Sequence, residues 1–207
     1  MMTAVSPPCA LALVCSLKPS PARSSSELMA DHVCSALRTM GVNTETLRCA
    51  DHAIAPGVQA DMGDGDEWPR IREKVLAADI LVLSTPVWLG HPSSVAQRVL
   101  ERLDADLSTT DELGRPVMVD KVAVVAVVGN EDGAHKTVAD LFQALNDIGF
   151  SIPAQGCTYW NGEAMGSTDY QDLDRVPDAV SSATVAAARN AAHLAETLRT
   201  GGYPRYA

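Results

Sequence analysis

Five hydroxyl side chains, Ser16, Ser20, Ser24, Ser25 and Ser26, crowd one short segment with Lys18 and Arg23 among them. The segment follows an apolar run, Ala10 to Cys15, and leads into residues with helical periodicity. Backbone N–H groups at a helix start lack intrahelical acceptors and lie at the positive end of the helix dipole, so with short hydroxyls beside them they cradle phosphate. Ser16, Ser24 and Ser25 are the expected phosphate ligands, with Lys18 as an electrostatic supplement. The plainer alternative is a serine-rich capping loop, since one of those serines must cap the helix. A second segment, Thr85-Pro86-Val87-Trp88-Leu89-Gly90, follows the run Ile80 to Leu83. Here Pro86 is expected to fix a turn, the backbone from Val87 to Gly90 can approach a flat ring, and Trp88 can stack on it or simply fill core. The third segment, Gly129-Asn130-Glu131-Asp132-Gly133, follows the run Val122 to Val128 and offers two glycines and an amide to a polar ring edge. Gly133 is the position expected to tolerate a side chain least. Phosphate beside a slot for a flat heteroaromatic ring is the recognition problem that FMN poses.

These segments need a scaffold that brings them together. Apolar strand candidates alternate with amphipathic helices, the pattern of a doubly wound parallel sheet. Ala10 to Cys15, Ile80 to Leu83 and Val122 to Val128 are apolar at nearly every position and read as central strands covered on both faces. Thr44 to Arg48 alternates, and Ile152 to Tyr159 is interrupted by Pro153 and Gly156, so both read as edges. The expected architecture is an α/β, flavodoxin-like three-layer sandwich with a five-stranded parallel sheet of order 2-1-3-4-5. All three loops then lie at the carboxyl ends of the central strands. Helical stripes run from Leu28 to Met40 (with Ser24 and Glu27 as a capping box), Trp68 to Leu76, Val95 to Leu103, Val138 to Ile148, and from about Pro177 to Arg199. Asp51 to Asp66 reads as a flexible acidic insertion.

Length, charge and missing motifs bound the function. A chain of 207 residues, 46% hydrophobic, fits one domain spanning residues 1–207. A net charge of −10 argues against nucleic acid and anionic membranes. The apolar stretch near the start lacks a basic leader and supplies the first strand, and no run reaches the roughly 20 residues of a membrane span. A cytoplasmic protein with reduced cysteines is expected. No Gly-x-Gly-x-x-Gly follows a strand, and Gly63 and Gly65 fall in the acidic loop. Glu131, Asp132 and His135 share one tight turn without further ligands, so no metal is expected. Tyr159 to Glu163 either wall the slot or seal the sheet edge.

The three segments, from Ser16-Leu17-Lys18 through Ser25, Ser84 through Gly90, and Gly129-Asn130-Glu131-Asp132-Gly133-Ala134-His135, resemble the NADPH-dependent FMN reductase branch of the flavodoxin-like superfamily. The likeness covers about Ala10 to Trp160. It implies FMN held at its phosphate by Ser16, Lys18, Ser24 and Ser25, and at its ring by Pro86 to Gly90 and Asn130 to Gly133. It also implies a homodimer or homotetramer with flavin near an interface. Cys15 and Ser24 stand where the family usually has Gly and Asn. Cys49 alone stands where iron–sulfur relatives have a cysteine motif, so no cluster is implied. The activity expected is that of an oxidoreductase, with NADPH or NADH as reductant, bound FMN as relay, and a small acceptor such as a quinone or free flavin. No catalytic residue is assigned, because the cofactor carries the chemistry. A flavodoxin-like electron carrier between protein partners is the alternative, and an interaction scaffold the blandest one. Arg98, Arg102 and Arg115 are candidates for a 2′-phosphate contact.

Overall fold

The computed structural model describes residues 6–163 and 165–206. The first five residues, on which the leader reading partly rests, lie outside them. Five parallel strands, β1 (Cys9–Val14), β2 (Asn43–Arg48), β3 (Ile80–Trp88), β5 (Val122–Gly129) and β6 (Cys157–Asn161), form a sheet in the order β2-β1-β3-β5-β6. Counted among the parallel strands this is 2-1-3-4-5, the flavodoxin-like order. A two-residue strand, β4 (His91–Pro92), pairs antiparallel with the end of β3.

Strand residues alternate between two buried faces, which is why the central runs are apolar throughout. Leu11 and Leu13 join Leu81, Leu83, Val125 and Val127 on one face. There they meet α2 (Trp68–Ala77), α3 (Ser94–Asp104) and α4 (Ala134–Ile148). Ala10, Ala12 and Val14 join Val82, Val124 and Ala126 on the other face, under α1 (Ser25–Thr39) and α5 (Asp178–Gly201). Small residues along α5 (Ala187, Ala188, Ala191, Ala195) let it lie close to the sheet. Each Leu or Val buried this way stabilises the fold by about 1.5–3 kcal/mol.

Three boundaries differ from the sequence reading, each for a local reason. The third strand continues past Leu83, because Ser84 and Thr85 are satisfied inside the protein: Ser84 Oγ donates to the Ser26 carbonyl at 2.7 Å. Pro86 therefore sits in β3 opposite Val128 and does not form the turn. β1 ends its pairing at Ser84, so at Pro86 the strand has a neighbour on one side and tolerates a missing N–H. The last strand begins only at Cys157, since Gly156 packs against Pro153 so closely that a Cβ there would lie 2.8 Å from the proline ring. Finally, the acidic segment is not a loose insertion. Asp66 pairs with Arg102 at 2.7 Å, and Arg102 also donates to the carbonyls of Ala55 (2.9 Å) and Gln59 (3.0 Å). None of the described helices is long and apolar enough to cross a membrane.

Candidate functional site

A cleft opens at the carboxyl ends of β1, β3 and β5, where the strand order reverses between β1 and β3. Ser16, Lys18, Ser24 and Ser25 line one end; Pro86, Val87 and Trp88 form one side, and Gly129 and Asn130 the floor beyond. The six other residues singled out from the sequence do not line it. Thr85 is buried, and its hydroxyl accepts from the Ser93 N–H at 3.0 Å, while Ser93 Oγ donates to the Cys15 carbonyl at 2.6 Å. Thr85 thus ties the start of α3 to β3, and Ser93 carries the tie on to the end of β1. Leu89 and Gly90 are the two-residue tip of the β3–β4 hairpin, with φ of 52° and 73°. Two consecutive left-handed residues match the hairpin's right-handed twist. Gly90 adopts that conformation freely; Leu89, 88% exposed, does not. Glu131, Asp132 and Gly133 turn the chain into α4, and Gly133 has φ of 106°. A Cβ on Gly133 would lie 2.9 Å from Gly90 Cα, so its close approach is to the hairpin tip rather than to the cleft.

The serine end is built to donate. Ser24 caps α1, its Oγ accepting from the Glu27 N–H at 3.2 Å and lying 3.0 Å from Ser26 Oγ. The reciprocal half of the expected capping box is missing, because the Glu27 carboxylate pairs with Arg48. Ser25 and Ser26, the first two helical residues, have amides with no intrahelical acceptor. Ser16 Oγ accepts from the Lys18 N–H (3.1 Å) and Ser25 Oγ from the Gln171 N–H (3.3 Å), which leaves both hydroxyl protons to donate elsewhere. Arg48, buried at the end of β2, also donates to the carbonyl of Ala22 at 2.7 Å and so fastens the serine loop to α1. Asp51 accepts from the N–H and hydroxyl of Ser20 at 2.6 and 2.7 Å, and those bonds hold its carboxyl below the usual range. Arg48 carried no signal in the sequence beyond its place at a strand end.

The far wall comes from a segment that no periodicity marked. Trp160, Asp169, Tyr170 and Gln171 line the cleft opposite Trp88. Arg23, also at the cleft, pairs with Asp172 (3.0 Å) and donates to the Gln171 carbonyl (2.8 Å). Asn130 Nδ2 donates to Asp169 at 3.2 Å. Tyr170 is buried against Trp160, ring centroids 5.6 Å apart, with its hydroxyl 2.9 Å from His32 Nδ1. Burial pushes the tyrosine up to about 12 and the histidine down, which favours the neutral form of each. The Trp160 end of the segment was one of two readings open in the sequence; Asn161 to Val176 reads there as extra chain that could build a pocket or an oligomer contact, without residues 169–171 being singled out.

The residues present fit a phosphate ester joined to a flat ring. Hydroxyls, free amides, Lys18 and Arg23 line the cleft together with Trp88 and Trp160, and behind its wall the Oε1 of Gln171 is buried without a partner. The arginines considered for a 2′-phosphate are engaged elsewhere: Arg98 on the Ile54 carbonyl, Arg102 on Asp66, Arg115 on Asp111 and Asp120. His135 turns to the Tyr159 hydroxyl (3.3 Å), away from any shared site with Glu131 and Asp132. Among the described residues no three His, Cys, Asp or Glu side chains converge on one point.

Sheet order and cleft together define a flavodoxin-like protein with a crevice at the topological switch point. Residues 9–164 match the family of NADPH-dependent FMN reductases, and the chain belongs to that family. It is 38% identical over 167 residues to a protein of Mycobacterium bovis named divalent metal cation transporter MntH, covering 79% of this chain and 24% of that one. It is 34% identical over 164 residues to the 8-demethyl-8-aminoriboflavin-5'-phosphate synthase of Streptomyces davaonensis, covering 75% of this chain and 64% of that one. The chain thus spans less than two thirds of the length of both relatives. The crystal structure of RosB with bound 8-demethyl-8-formylriboflavin-5'-phosphate superposes with a TM-score of 0.86 at 30% identity, over 95% of this chain and 82% of RosB.

Proposed function

We propose that the chain is an FMN-dependent oxidoreductase that takes electrons from NADPH or NADH and passes them to a small acceptor such as a quinone or free flavin. The observation that carries this reading is the run of donors at the start of α1 opening directly into an aromatic-sided slot. FMN, when bound, supplies the chemistry by accepting a hydride and releasing electrons onward. The chain's part is binding and exposure. Ser16, Ser24, Ser25 and the α1 amides hold the phosphate, with Lys18 and Arg23 balancing its charge. Trp88, 54% exposed, borders the slot without sealing it, which leaves room for a second planar molecule. Asn130 and the backbone at Gly129 meet the polar ring edge. A homodimer or homotetramer, as in the family, would place a second copy near this opening.

The test is anaerobic addition of NADPH or NADH to the FMN-loaded protein, with direct bleaching of the flavin band expected within minutes. A flavin that stays oxidised with both nucleotides, yet is reduced by a separate reductase, would instead mark an electron carrier.

RosB supports a second reading, because its likeness extends over 95% of the chain, past the family match at residue 164. In that reading the flavin phosphate is itself the substrate. Mass spectrometry of flavin recovered after incubation with candidate amine donors decides: an altered ring mass favours this reading, and unchanged FMN favours the first.

A further inference from the structure

Gln171 lies in the cleft wall one hydrogen bond from the phosphate end, its N–H donating to Ser25 Oγ at 3.3 Å. Its side-chain Oε1 has no exposed surface and no hydrogen-bond partner. An acceptor left bare in a protein interior is disfavoured, and a ligand group that donates to it recovers the lost hydrogen bond. None of the neighbours donates to it: Arg23 is engaged with Asp172 and the Gln171 carbonyl, the Tyr170 hydroxyl lies against His32, and the Ser25 hydroxyl proton, free of any partner on the wall, serves the phosphate end in the flavin reading. The serine end of the cleft is rich in donors for phosphate, so an unsatisfied acceptor beside it calls for the opposite kind of group.

We propose that Gln171 is a specificity-determining residue that reads hydroxyl groups on the chain linking the phosphate to the ring. Rotation about the broad terminal torsion of the side chain turns Oε1 into the cleft. There it accepts from a hydroxyl one or two carbons from the phosphate. A polyol phosphate has such donors and an alkyl phosphate has none. A site that hydrogen-bonds a hydroxyl rejects the analogue lacking it far more strongly than an apolar pocket rejects a change of size, because the protein's polar group is left unpaired. This inference rests on the flavin phosphate reading of the cleft and adds to it the feature of the ligand by which the wall chooses. Gln171 lies beyond the matched family residues.

The experiment compares two ligands, FMN and a flavin whose ring carries a five-carbon alkyl phosphate without hydroxyls. Dissociation constants are measured by flavin fluorescence for the parent, Gln171→Met and Gln171→Glu. The parent should prefer FMN by about tenfold or more, the discrimination of one charge-free hydrogen bond. Gln171→Met should bring the ratio close to one while the alkyl analogue's affinity stays within about twofold. Gln171→Glu keeps an acceptor and should keep the ratio, even as its charge weakens both ligands alike. An equal loss of both ligands in Gln171→Met, or a ratio that is the same in all three proteins, would overturn the proposal. Should Gln171→Met fail to fold, loss of the preference in Gln171→Glu would overturn it equally. Failure of the parent to bind either ligand would instead remove the underlying flavin reading.

Discussion

The acidic loop between β2 and α2 and the wall segment between β6 and α5 are alike in length and polarity, yet they are fastened in opposite ways. The acidic loop wraps an internal ion pair: the side chains of Arg102 and Asp66 are 0% and 1% exposed, and the guanidinium also stands 5.6 Å above the Trp68 ring. The wall segment is held by one buried ring, Tyr170, by hydrogen bonds to Asn130, Ser25 and Arg23, and by an outer pair, Arg23 and Asp172, that is 70% and 46% exposed. None of the acidic loop lines the cleft, whereas the wall segment forms one side of it. The buried ion pair lies away from the cleft and the exposed one beside it. The difference lies in where the charges sit, which composition does not report. A buried pair is expensive to break because the surviving charge has no water, while an exposed pair contributes little.

The sharpest way to break this contrast is to remove the buried cation. Arg102→Met should destabilise the protein by about 3–5 kcal/mol, since Asp66 is left buried and unpaired. For a chain of this size that is a fall in Tm of roughly 6–20 °C. Adding Asp66→Asn to Arg102→Met should restore part of the loss, as the two substitutions remove a coupled pair. Thermal unfolding of both variants checks it, and a drop of less than about 1 kcal/mol in the single variant would show that the loop needs no clamp.

The same pair predicts a pH dependence. Burial disfavours the Asp66 carboxylate, but hydrogen bonds from Arg102 and from the amides of Met62, Ala55 and Trp68 outweigh it and hold the group well below the usual carboxylate range. A depressed folded-state value means that the contribution is present above the unfolded value near 3.9 and is lost as pH falls through the folded one. Denaturant midpoints measured downward from about pH 5 should therefore fall more steeply in the parent than in Arg102→Met, which lacks the main stabilising partner.

A middle-sized effect is expected where the third loop meets the hairpin. Gly133→Ala introduces a Cβ 2.9 Å from Gly90 Cα at a φ of 106°, whereas Gly90→Ala meets nothing within 4 Å and carries only the cost of its own positive φ. Gly133→Ala should cost about 2–3 kcal/mol and Gly90→Ala about 1 kcal/mol. Equal losses would mean that the close approach is not felt. Because Gly133 faces the hairpin and not the cleft, the rise in Tm that FMN gives should survive in Gly133→Ala.

How much of this was readable beforehand follows the same line between buried apolar runs and locally satisfied polar groups. The strand Val122–Gly129 is buried at every position and its run of valines announces it. The end of β3 was hidden because Ser84 and Thr85 interrupt the apolar run, and only their partners, the Ser26 carbonyl and the Ser93 amide, show why hydroxyls are tolerated in a central strand. The serine cradle was legible because capping and phosphate binding both call for short hydroxyls at a helix start. The wall at Asp169, Tyr170 and Gln171 was legible only as extra chain, Asn161 to Val176, that could build a pocket or an oligomer contact. It has no period, and its place depends on contacts with His32, Arg23 and Asn130, far away in the chain.

The smallest stability effect tests the other half of the comparison. Arg23→Gln removes the exposed pair with Asp172, and such pairs are worth about 0–1 kcal/mol, so unfolding should shift by no more than roughly 0.5 kcal/mol. Binding should respond more. Arg23 lines the cleft and holds the Gln171 carbonyl, so its loss takes a positive charge from the phosphate end and loosens the wall at once. The dissociation constant for FMN should rise about three- to tenfold at low salt. Because the guanidinium is exposed, that difference should shrink at about 1 M salt, where the Debye length is only roughly 3 Å. A loss of stability above about 1 kcal/mol with FMN affinity unchanged would reverse the assignment: the outer pair would then be what holds the wall in place, and the wall would be as rigid as the acidic loop.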